Sequence, residues 1–566
     1  MKAKLIAVSL AFCALSSVAD VKYFCVPPGT SGVPENPDYL SWETAGTNIY
    51  DAVYAANGSH KGDSTQRTLY VMSGTYVITN QIEINNAQFE MRSSKGPAAQ
   101  EEIDPEGTTL CGGYPATTNR IVHINSDSLN WDKFCVFRGF TVTNGWVEGK
   151  GGGIYVQGAR HDSTCVADCR IVGNLSYRGA GGGIAFEPDT SGAGYITNCI
   201  VVGNVTTNLW VKGQDNGTTG GAVSIGSTGG AAMSSPSRTA GFRVLDTVIS
   251  NNVSCGNAIR SCGLWVRQNS AWIENCTIAD NRGLAMSDGN AAYSEAAYLM
   301  AGSMMVNCLV SENCVQNSSG ASGVHAMAAC VVSNCVFRGN SGATTFLADG
   351  YESKYQNIPV SLVNCIFNGN GGDGSVLVQT GNGMVMRNCL LMNATGSSFT
   401  MGSRTAALKC ESDNVSVENC TIANNAKGIF CLGSKVLPVV NCAVYGSTIR
   451  DLHQTGDGGG GVSFTNCYFS SSAPRLADDI KSRPNVDCVF SDAPLFTDAA
   501  NGDFSLQLKS PLCDAGVALA WMKGACDVAG KPRCLDSAGN ATDSALPDIG
   551  CYECALGKMG LSIILR

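Results

Sequence analysis

A short pattern of apolar and polar positions recurs along the middle of the chain. Each unit has an apolar residue, Asn, Cys, a variable residue and a second apolar residue, and most units add a further Asn. Thr247 takes the place of the cysteine in one unit; with it included, successive units lie 22 to 32 residues apart, except for one step of 48. A repeat of this length predicts the coils of a parallel β-helix. The repeat cysteines are Cys169, Cys199, Cys276, Cys308, Cys335, Cys365, Cys389, Cys420, Cys442 and Cys467.

The alternation inside each unit predicts a strand. The residue two positions after each cysteine is apolar, as Ile171 and Phe337 are, whereas the residue between them can be polar, as Arg170 is. Side chains alternate between the two faces of a strand, so the cysteines and their apolar partners point inward. An array of amphipathic helices would need a period of 3.6, which the units lack.

The asparagine before each cysteine predicts a sharp bend between two strands. Asn tolerates the left-handed backbone conformation and can hydrogen-bond to the equivalent residue of the next coil. In the first unit Asp168 has this position. The predicted asparagine ladder consists of Asn198, Asn275, Asn307, Asn334, Asn364, Asn388, Asn419, Asn441 and Asn466.

Another strand recurs upstream of the Asn-Cys units. It occurs as GGGIYV, GGGIAF, GGAVSI, CGLWVR, GVHAM, SVLVQ, ALKCE and GIFCL. Each coil then has three short strands. We predict an all-β fold, a right-handed single-stranded parallel β-helix of about ten or more three-strand coils, roughly 50 Å long for ten coils.

The ends of the repeat define the domain organisation. Both ends of a β-helix are open strand edges that need a cover. TNIYDAVYAAN predicts a short N-terminal capping helix, and an irregular tail with six cysteines follows the last unit. We divide the chain into a signal peptide (1–19), an N-terminal cap with the first coils (20–120), the β-helix repeats (121–487) and a C-terminal cap (488–566).

The N-terminal segment predicts export. Lys2 and Lys4 precede an apolar stretch from Leu5 to Leu15, and Ser17-Val18-Ala19 has the small residues of a cleavage site before Asp20. No later segment is apolar enough to span a bilayer. The net charge is −9 and no basic patch occurs, which excludes nucleic acid as an expected partner. We expect a monomer that is secreted or attached to the bacterial cell surface.

The cysteine column raises the question of disulfides, because an exported chain has 27 cysteines. Inward residues of stacked parallel strands lie about 4.8 Å apart, whereas a disulfide needs Cβ atoms about 3.8 Å apart. We therefore predict a ladder of buried, reduced thiols without metal, in which Ser is a worse replacement than Ala because a buried hydroxyl needs a partner. The disulfide candidates, with pairing open, are Cys488, Cys513, Cys526, Cys534, Cys551 and Cys554.

The chain resembles the secreted bacterial β-helix repeat proteins of the pectate-lyase-like superfamily. DAVYAAN…LYVMSGTY is similar to their usual start, and GDFSLQLKSPLCDAG…DVAGKPR…PDIGCYE is similar to a common tail, with Cys513 and Cys551 where Ala is usual. GGGI, GGAV, FRGN and FNGN are also similar to the short repeats of polymorphic outer-membrane proteins. The resemblance implies the fold, but lyases, hydrolases, adhesins and inert surface proteins share it.

The outward face of the upstream strand provides the candidate ligand-binding residues. Aromatic rings there can stack on sugars, and polar residues can hydrogen-bond to them. One further aromatic residue lies in the loop 206–240, where the repeat step stretches to 48, and we expect this loop to border the same face. The carbohydrate-binding candidates are Tyr155, Trp210, Trp265, Arg267, His325, Lys409 and Glu411.

A compact catalytic centre is not evident in this set. Trp265 and His325 are expected two coils apart and His325 and Lys409 three, too far for joint acid–base catalysis. Lys409 and Glu411 share a strand face and are expected to form an ion pair. The signatures of polygalacturonase-like enzymes are absent. The acidic residues that a Ca²⁺-dependent lyase would need are better explained as turn formers: Asp189, Asp215, Asp280 and Asp288.

Two functions remain open from the sequence. The first is a binding or structural surface protein, adhesin-like, that contacts extracellular polysaccharide or a cell surface. The second is a polysaccharide lyase or glycoside hydrolase, for which Ca²⁺ would be the cofactor if it is lyase-like. The missing signatures favour the first, and no catalytic residue, metal or other cofactor is assigned.

Overall fold

The computed structural model of the chain describes most of the predicted mature protein. The predicted signal peptide, Trp210 and most of the 206–240 loop lie outside the described residues. Those residues are 20–57, 65–85, 88–125, 134–161, 164–192, 194–208, 220–226, 242–256, 261–267, 270–285, 295–316, 320–350, 358–379, 383–395, 403–455, 461–471, 483–534 and 545–554.

The strands form a parallel β-helix with three long sheets, which confirms the predicted fold class. Each strand pairs with the equivalent strand of the next coil, and the chain visits sheets A, B and C in turn. Sheets A and B flank the predicted Asn-Cys bend, and sheet C contains the predicted upstream strand. With up to sixteen strands in one sheet, the described helix is about 70 Å long.

Sheet A lies before the bend. Its strands are Asp20–Cys25, Gln66–Met72, Phe89–Ser94, Cys135–Arg138, Thr164–Ala167, Tyr195–Thr197, Arg243–Leu245, Trp272–Glu274, Met304–Val306, Val331–Ser333, Val360–Val363, Met384–Arg387, Val415–Glu418, Val436–Val440, Gly461–Thr465 and Asn485–Val486.

Sheet B lies after the bend. Its strands are Gly74–Ile78, Thr108–Gly112, Thr141–Thr143, Arg170–Val172, Ile200–Val202, Val248–Ser250, Thr277–Ala279, Leu309–Ser311, Val336–Arg338, Ile366–Asn368, Leu390–Met392, Thr421–Ala423, Ala443–Tyr445, Tyr468–Phe469 and Val489–Phe490.

Sheet C closes the coil. Its strands are Ile82–Ile84, Val122–Asn125, Ile154–His161, Ile184–Gly192, Val223–Ile225, Leu264–Val266, Ala297–Leu299, Ala321–Ala326, Thr344–Ala348, Val376–Val378, Leu408–Cys410, Lys427–Leu432 and Arg450–Thr455.

A fourth sheet, D, distinguishes the central coils from the predicted three-strand coils. The connection from sheet B to sheet C is long enough there to run beside its neighbours and pair with them. Its strands are Trp146–Glu148, Leu175–Tyr177, Val205–Asn208, Val253–Gly256, Arg282–Ala285 and Cys314–Gln316.

The N-terminal end is covered by the predicted helix, here α1 (Ile49–Asn57). It buries Ile49, Ala52, Val53 and Ala56 against the first coils, which is the 3.6-residue period of an amphipathic helix. The side chain of Asn48 accepts a hydrogen bond from the backbone N–H of Tyr50 and so caps the helix start. Short 3₁₀ turns occur at Pro97–Ala99, Ala499–Asn501 and Ala520–Met522.

The repeat cysteines point into the core, and all ten are at most 2 % exposed. The structure has them as free thiols; their reduced state in the purified protein stays a prediction. Each thiol also makes weak hydrogen bonds. Sγ of Cys335 accepts the N–H of Cys308 at 3.4 Å and donates to the carbonyl of Ser333 at 3.2 Å. The hydroxyl of Thr247 donates to the carbonyl of Leu245 in the same way, at 2.8 Å.

The bend asparagines adopt the left-handed conformation, with φ between 48° and 55°. In the first half of the helix their amides bond from coil to coil, as Asn198 does to Asp168 at 2.7 Å. In the second half several amides turn outward and bond to the C-terminal segment instead. Asn388 donates to the carbonyl of Cys526 at 2.8 Å and Asn466 to that of Ala515 at 3.0 Å.

A second asparagine ladder lies inside the helix, at the corner after sheet B. Where the previous coil also has Asn at this corner, the side-chain oxygen accepts both the backbone N–H and the side-chain amide of that residue, as Asn204 does from Asn174. Asn174 and Asn425 accept only a backbone N–H, from Gly145 and Ala394. Each ladder amide also donates to a backbone carbonyl, as that of Asn174 does to Val142. The sequence shows it only as the further Asn five residues after the cysteine. Its fully buried members are Asn174, Asn204, Asn252, Asn281, Asn313, Asn340, Asn370 and Asn425.

The C-terminal segment packs along the side of the helix rather than over its open end. A hairpin of Phe496–Asp498 and Asp503–Leu506, with Leu512 and Ile549, covers the outer face of the last strands of sheet B. The fully buried Arg533 fixes this segment to the bend ladder. Its guanidinium donates to Asn388 Oδ1 at 2.6 and 3.0 Å and to Glu553 Oε1 at 2.6 Å.

The buried ladder is predicted to stabilise the helix more than the bend ladder. Asn313→Ala leaves the N–H of Asn281 without its acceptor and removes the amide that donates to the carbonyl of Ile278, so we expect a loss of about 2–4 kcal/mol in unfolding free energy. Asn307→Gly at an exposed bend keeps the positive φ and is the control, with a loss below about 0.5 kcal/mol. Denaturant unfolding of both variants measures this, and equal losses would contradict it.

The thiol hydrogen bonds predict a replacement order opposite to the one expected from the sequence. A serine at position 335 can donate to the Ser333 carbonyl and accept the Cys308 N–H, as Thr247 does in its own unit. Cys335→Ala removes both contacts and leaves a small cavity. We expect Cys335→Ser to unfold at a higher denaturant concentration than Cys335→Ala; the opposite order would show that the hydroxyl is not accommodated.

Candidate functional site

The outward row of sheet C contains most of the predicted ligand-binding residues. Inter-strand register places one residue of each coil directly above the previous one. In order along the helix the row is Glu83, His123, Tyr155, Ala185, Ser224, Trp265, Tyr298, His325, Leu347, Leu377, Lys409, Phe430 and His453.

This row is not the continuous open track that the sequence predicted. Ala185 and Ser224 are each 2 % exposed, and Trp265 is 4 % exposed. The expectation that Trp265 offers an open stacking face is therefore wrong, because a buried indole has no face left for a sugar. Phe430 is also fully buried.

The remaining predicted residues lie at separate places on the face. Tyr155, Arg267, Lys409 and Glu411 are partly exposed, whereas His325 is buried. The predicted ion pair of Lys409 and Glu411 is confirmed, with Nζ and Oε1 3.1 Å apart. His325 lies two coils from Trp265 and three from Lys409, as expected.

Tyr155 belongs to a compact polar group on the first coils, which we call the His123 cluster. It consists of Gln81, Glu83, Arg120, His123, Lys150, Tyr155, Gln157 and Glu187, all partly exposed.

Contacts inside the His123 cluster join four adjacent strands of sheet C. Nδ1 of His123 lies 2.9 Å from Oε2 of Glu83, and its ring stacks on Tyr155 with centroids 5.2 Å apart. The guanidinium of Arg120 lies over the same tyrosine ring at 4.8 Å. The Tyr155 hydroxyl donates to Glu187 Oε2 at 2.5 Å, and Lys150 forms an ion pair with the same carboxylate.

The electrostatics of the cluster follow from partial burial and close pairing. Burial raises the pKa of Glu83, but the hydrogen bond and charge of His123, with Gln81 and Arg120, outweigh it and leave that pKa below its usual value. Burial lowers the pKa of Lys150 and that of Arg120. Two cations and two carboxylates are therefore fixed in a poorly solvated patch, where they interact strongly with a charged or hydroxylated ligand.

The cluster contains residue types that can bind saccharide and transfer protons. Lys150 and Arg120 can pair with a carboxylate or a sugar hydroxyl, and Gln157 and Glu187 can accept hydrogen bonds. The Tyr155 hydroxyl and the Lys150 amine both contact the Glu187 carboxylate. General acid–base catalysis needs groups at such hydrogen-bonding distances. The sequence pattern alone does not indicate this group.

A second polar group, the His325 cluster, lies in the middle of the helix. His325 Nδ1 is 3.0 Å from Oε1 of Glu295, and Nε2 is 3.7 Å from Oδ2 of Asp349. The ring of Tyr298 packs edge-on against the histidine at 5.1 Å. Glu295 is 1 % exposed, so this group is a structural charge network rather than an open ligand site.

The two carboxylates determine the charge of His325. Burial alone would lower its pKa, but the hydrogen bonds and charges of Asp349 and Glu295 raise the pKa to about 9. The imidazolium is therefore the stable form at neutral pH. A histidine in this state cannot act as a general base there.

Several residues of the two clusters are not indicated by the sequence pattern because they lie outside the aligned repeat units. His123 and Glu83 belong to the strands VHIN and IEI, whose apolar-polar alternation was the available signal. Tyr298 lies in the strand AYL between two units that were recognised. Glu295 lies just before that strand and had no signal of its own, since only the fold brings it to His325.

Metal-ligating types meet at one place among the residues that the structure describes, and it is not on sheet C. Donor atoms of Cys513, Asp548 and Cys554 lie within 4.8 Å of one another in the C-terminal segment. The sequence had assigned no metal ligands. Asp280, which the sequence indicates as a turn former, is exposed and has a φ of 56°. Asp215, Asp288 and the side chain of Asp189 lie outside the described residues.

The His325 cluster predicts a pH-dependent stability. A pKa raised from about 6.5 to about 9 stabilises the fold fully below pH 6.5 and progressively less as pH rises towards 9. Between pH 6 and 8 the wild type should lose about 2 kcal/mol of unfolding free energy relative to His325→Gln. Denaturant unfolding at pH 6, 7 and 8 measures the difference, with His123→Gln as control; parallel pH profiles for wild type and His325→Gln would contradict it.

Comparison with known proteins agrees with the architecture. A family described as right-handed beta helix region matches residues 360–469. No curated protein sequence matches the chain. Among the described residues no helix is long and apolar enough to cross a membrane.

Three solved structures illustrate what the chain is similar to. Pectate lyase Pel9A is 12% identical over 95% of this chain and 97% of its own, with a TM-score of 0.25. The catalytic domain of a GH87 alpha-1,3-glucanase in complex with tetrasaccharides is 12% identical over 78% and 68%, with a TM-score of 0.29. Alginate lyase AlyF-OU02 in complex with G6 is 9% identical over 84% and 90%, with a TM-score of 0.30.

The parallel sheets and the matched family region together establish the class of this protein. Its strands stack in register from residue 20 to residue 490, and the family match falls within that range. The chain is a right-handed parallel β-helix protein.

Proposed function

We propose that the protein binds an extended polysaccharide on sheet C, with the contact centred on the His123 cluster. The observation that carries this is the concentration of partly exposed donors, acceptors and an aromatic ring on adjacent coils. Mutual hydrogen bonds and ring stacking hold these side chains in place before a ligand arrives. Such preorganisation lowers the entropy cost of binding.

The character of the cluster favours an acidic saccharide. Lys150 and Arg120 supply cations whose burial weakens their hydration. The carboxylates of uronate residues would share these cations with the carboxylates of the cluster, or would displace those carboxylates. Neutral sugars would use the same groups as hydrogen-bond partners only, with lower affinity.

The place of action and the partners are part of the proposal. The signal peptide predicted for residues 1–19 supports action outside the cytoplasm, on extracellular polysaccharide or a cell surface. A monomer is sufficient, because the cluster is built from one chain.

The binding proposal is tested with a polysaccharide panel. Lys150→Gln should weaken binding of an acidic polysaccharide by about five- to tenfold, roughly 1 kcal/mol, because one poorly solvated cation is lost. The loss should shrink at high salt. Lys435→Gln, which breaks the Lys435–Asp413 pair of 2.9 Å elsewhere on the chain, is the control. Equal affinities for wild type and Lys150→Gln would refute the assignment.

A second candidate function, a polysaccharide lyase or glycoside hydrolase, is favoured by one contact. The Tyr155 hydroxyl, Lys150 and Glu187 share a hydrogen-bonded group in which a proton can move. An enzyme would use it for proton abstraction or donation at one bound sugar.

Tyr155→Phe separates the two functions. It removes the hydroxyl but keeps the ring that stacks on His123 and lies under Arg120. A binding protein should keep its affinity within about twofold. An enzyme should lose most of its turnover, which is followed as new reducing ends and as ultraviolet absorbance of unsaturated products.

A further inference from the structure

The C-terminal segment contains a group of thiols that differs from the cysteine ladder. Cys513 and Cys554 are partly exposed, whereas the ladder cysteines are buried inside the helix. The two thiols come from positions 41 residues apart in the sequence, and the buried Asp548 lies beside both.

We propose that Cys513, Asp548 and Cys554 bind one thiophilic divalent cation, of the class represented by Zn²⁺. Two sulfur donors and one carboxylate oxygen are ligand types that Zn²⁺ accepts, with a water molecule in the fourth position.

The geometry needs only small side-chain adjustments. Tetrahedral Zn²⁺ with sulfur at about 2.3 Å and oxygen at about 2.1 Å has donor atoms roughly 3.4–3.8 Å apart. The three donors already lie within 4.8 Å of one another. In contrast, in-line stacking along the cysteine ladder cannot surround an ion.

The backbone holds the carboxylate in place for such a role. The N–H of Asp514 donates to Asp548 Oδ1 at 2.7 Å, and the N–H of Cys554 donates to Oδ2. Each N–H belongs to a residue that is itself a ligand or adjacent to one. The three donors are therefore oriented by the same short hydrogen-bond network.

The local charge balance also favours a cation. Asp548 lies close to two other acidic residues: it accepts the N–H of Asp514 at 2.7 Å, and its own N–H donates to Glu553 Oε1 at 3.3 Å. The guanidinium of Arg533 is already paired with Glu553 at 2.6 Å. A bound divalent cation would offset this excess of negative charge and stabilise the thiolates.

Cation binding would have a structural consequence. It would join the loop at Cys513 to Cys554 at the end of the segment that Arg533 fixes to Asn388. The C-terminal segment would then be more stable with the metal than without it, by the linkage between ligand binding and folding.

The test uses the full chain, kept reduced and freed of metal by a chelator, and titrates it with Co²⁺ and then Zn²⁺. We expect one equivalent of Co²⁺ per chain, a thiolate-to-cobalt absorption band, displacement by Zn²⁺ and a higher thermal midpoint. Cys554→Ser and Cys513→Ser should each weaken binding at least tenfold. Cys526→Ser, a partly exposed cysteine of the same segment outside the group, is the matched control and should bind as wild type does.

Two results would overturn the proposal. One is the absence of a thiolate band in the wild type, or an equal band in Cys554→Ser. The other is a Cys513–Cys554 disulfide in protein purified without reductant, found by peptide mapping, which would mean that the pair is a covalent link. Since both serine variants change half-exposed side chains, circular dichroism that matches the wild type identifies a loss of binding as a loss of ligands.

Discussion

The structure depends on how backbone groups are satisfied at the corners of each coil. Within the sheets every N–H and C=O can bond to the coil above or below. At a corner the chain leaves the sheet, and its backbone groups need other partners although the coils are stacked only about 4.8 Å apart. The buried asparagines solve this after sheet B: one side-chain oxygen accepts the backbone N–H of the previous coil, and the amide reaches a carbonyl. The bend before the cysteine is solved differently, by a left-handed residue.

The regular hydrogen bonding at the corners determines at which positions the side chains can vary. Because the corners and inward positions are committed to stacking, side chains that can contact a ligand are confined to the outward faces and the connections. The first coils of sheet C show the result. His123, Tyr155 and Glu187 have no part in the core, and neighbouring coils bring them into one group. In the second half of the helix, bend amides hold the C-terminal segment, as that of Asn388 does.

The fold could be predicted because it repeats a local pattern, whereas the site could not. The Asn-Cys unit marks the bend, and its spacing gives the length of a coil. The alternation around Ile171 and Phe337 shows which side chains point inward, and ten copies of the unit give the same answer. The site depends on pairs such as Glu83 with His123, which are 40 residues apart and lie in coils without that unit. Solvent exposure could not be predicted either. Alternation shows that Trp265 lies on the outward face of the sheet, but it does not show that this side chain is buried there.

Native-state hydrogen exchange at the corner after sheet B tests the account most directly. The backbone N–H groups of Asn204, Asn252, Asn281 and Asn313 are each bonded to the next asparagine side chain at 2.9–3.1 Å. We expect these amides to exchange as slowly as those of the neighbouring strands, at the rate set by opening of the whole helix. Fast exchange, typical of surface turns, would contradict the claim that the buried ladder holds the coils together.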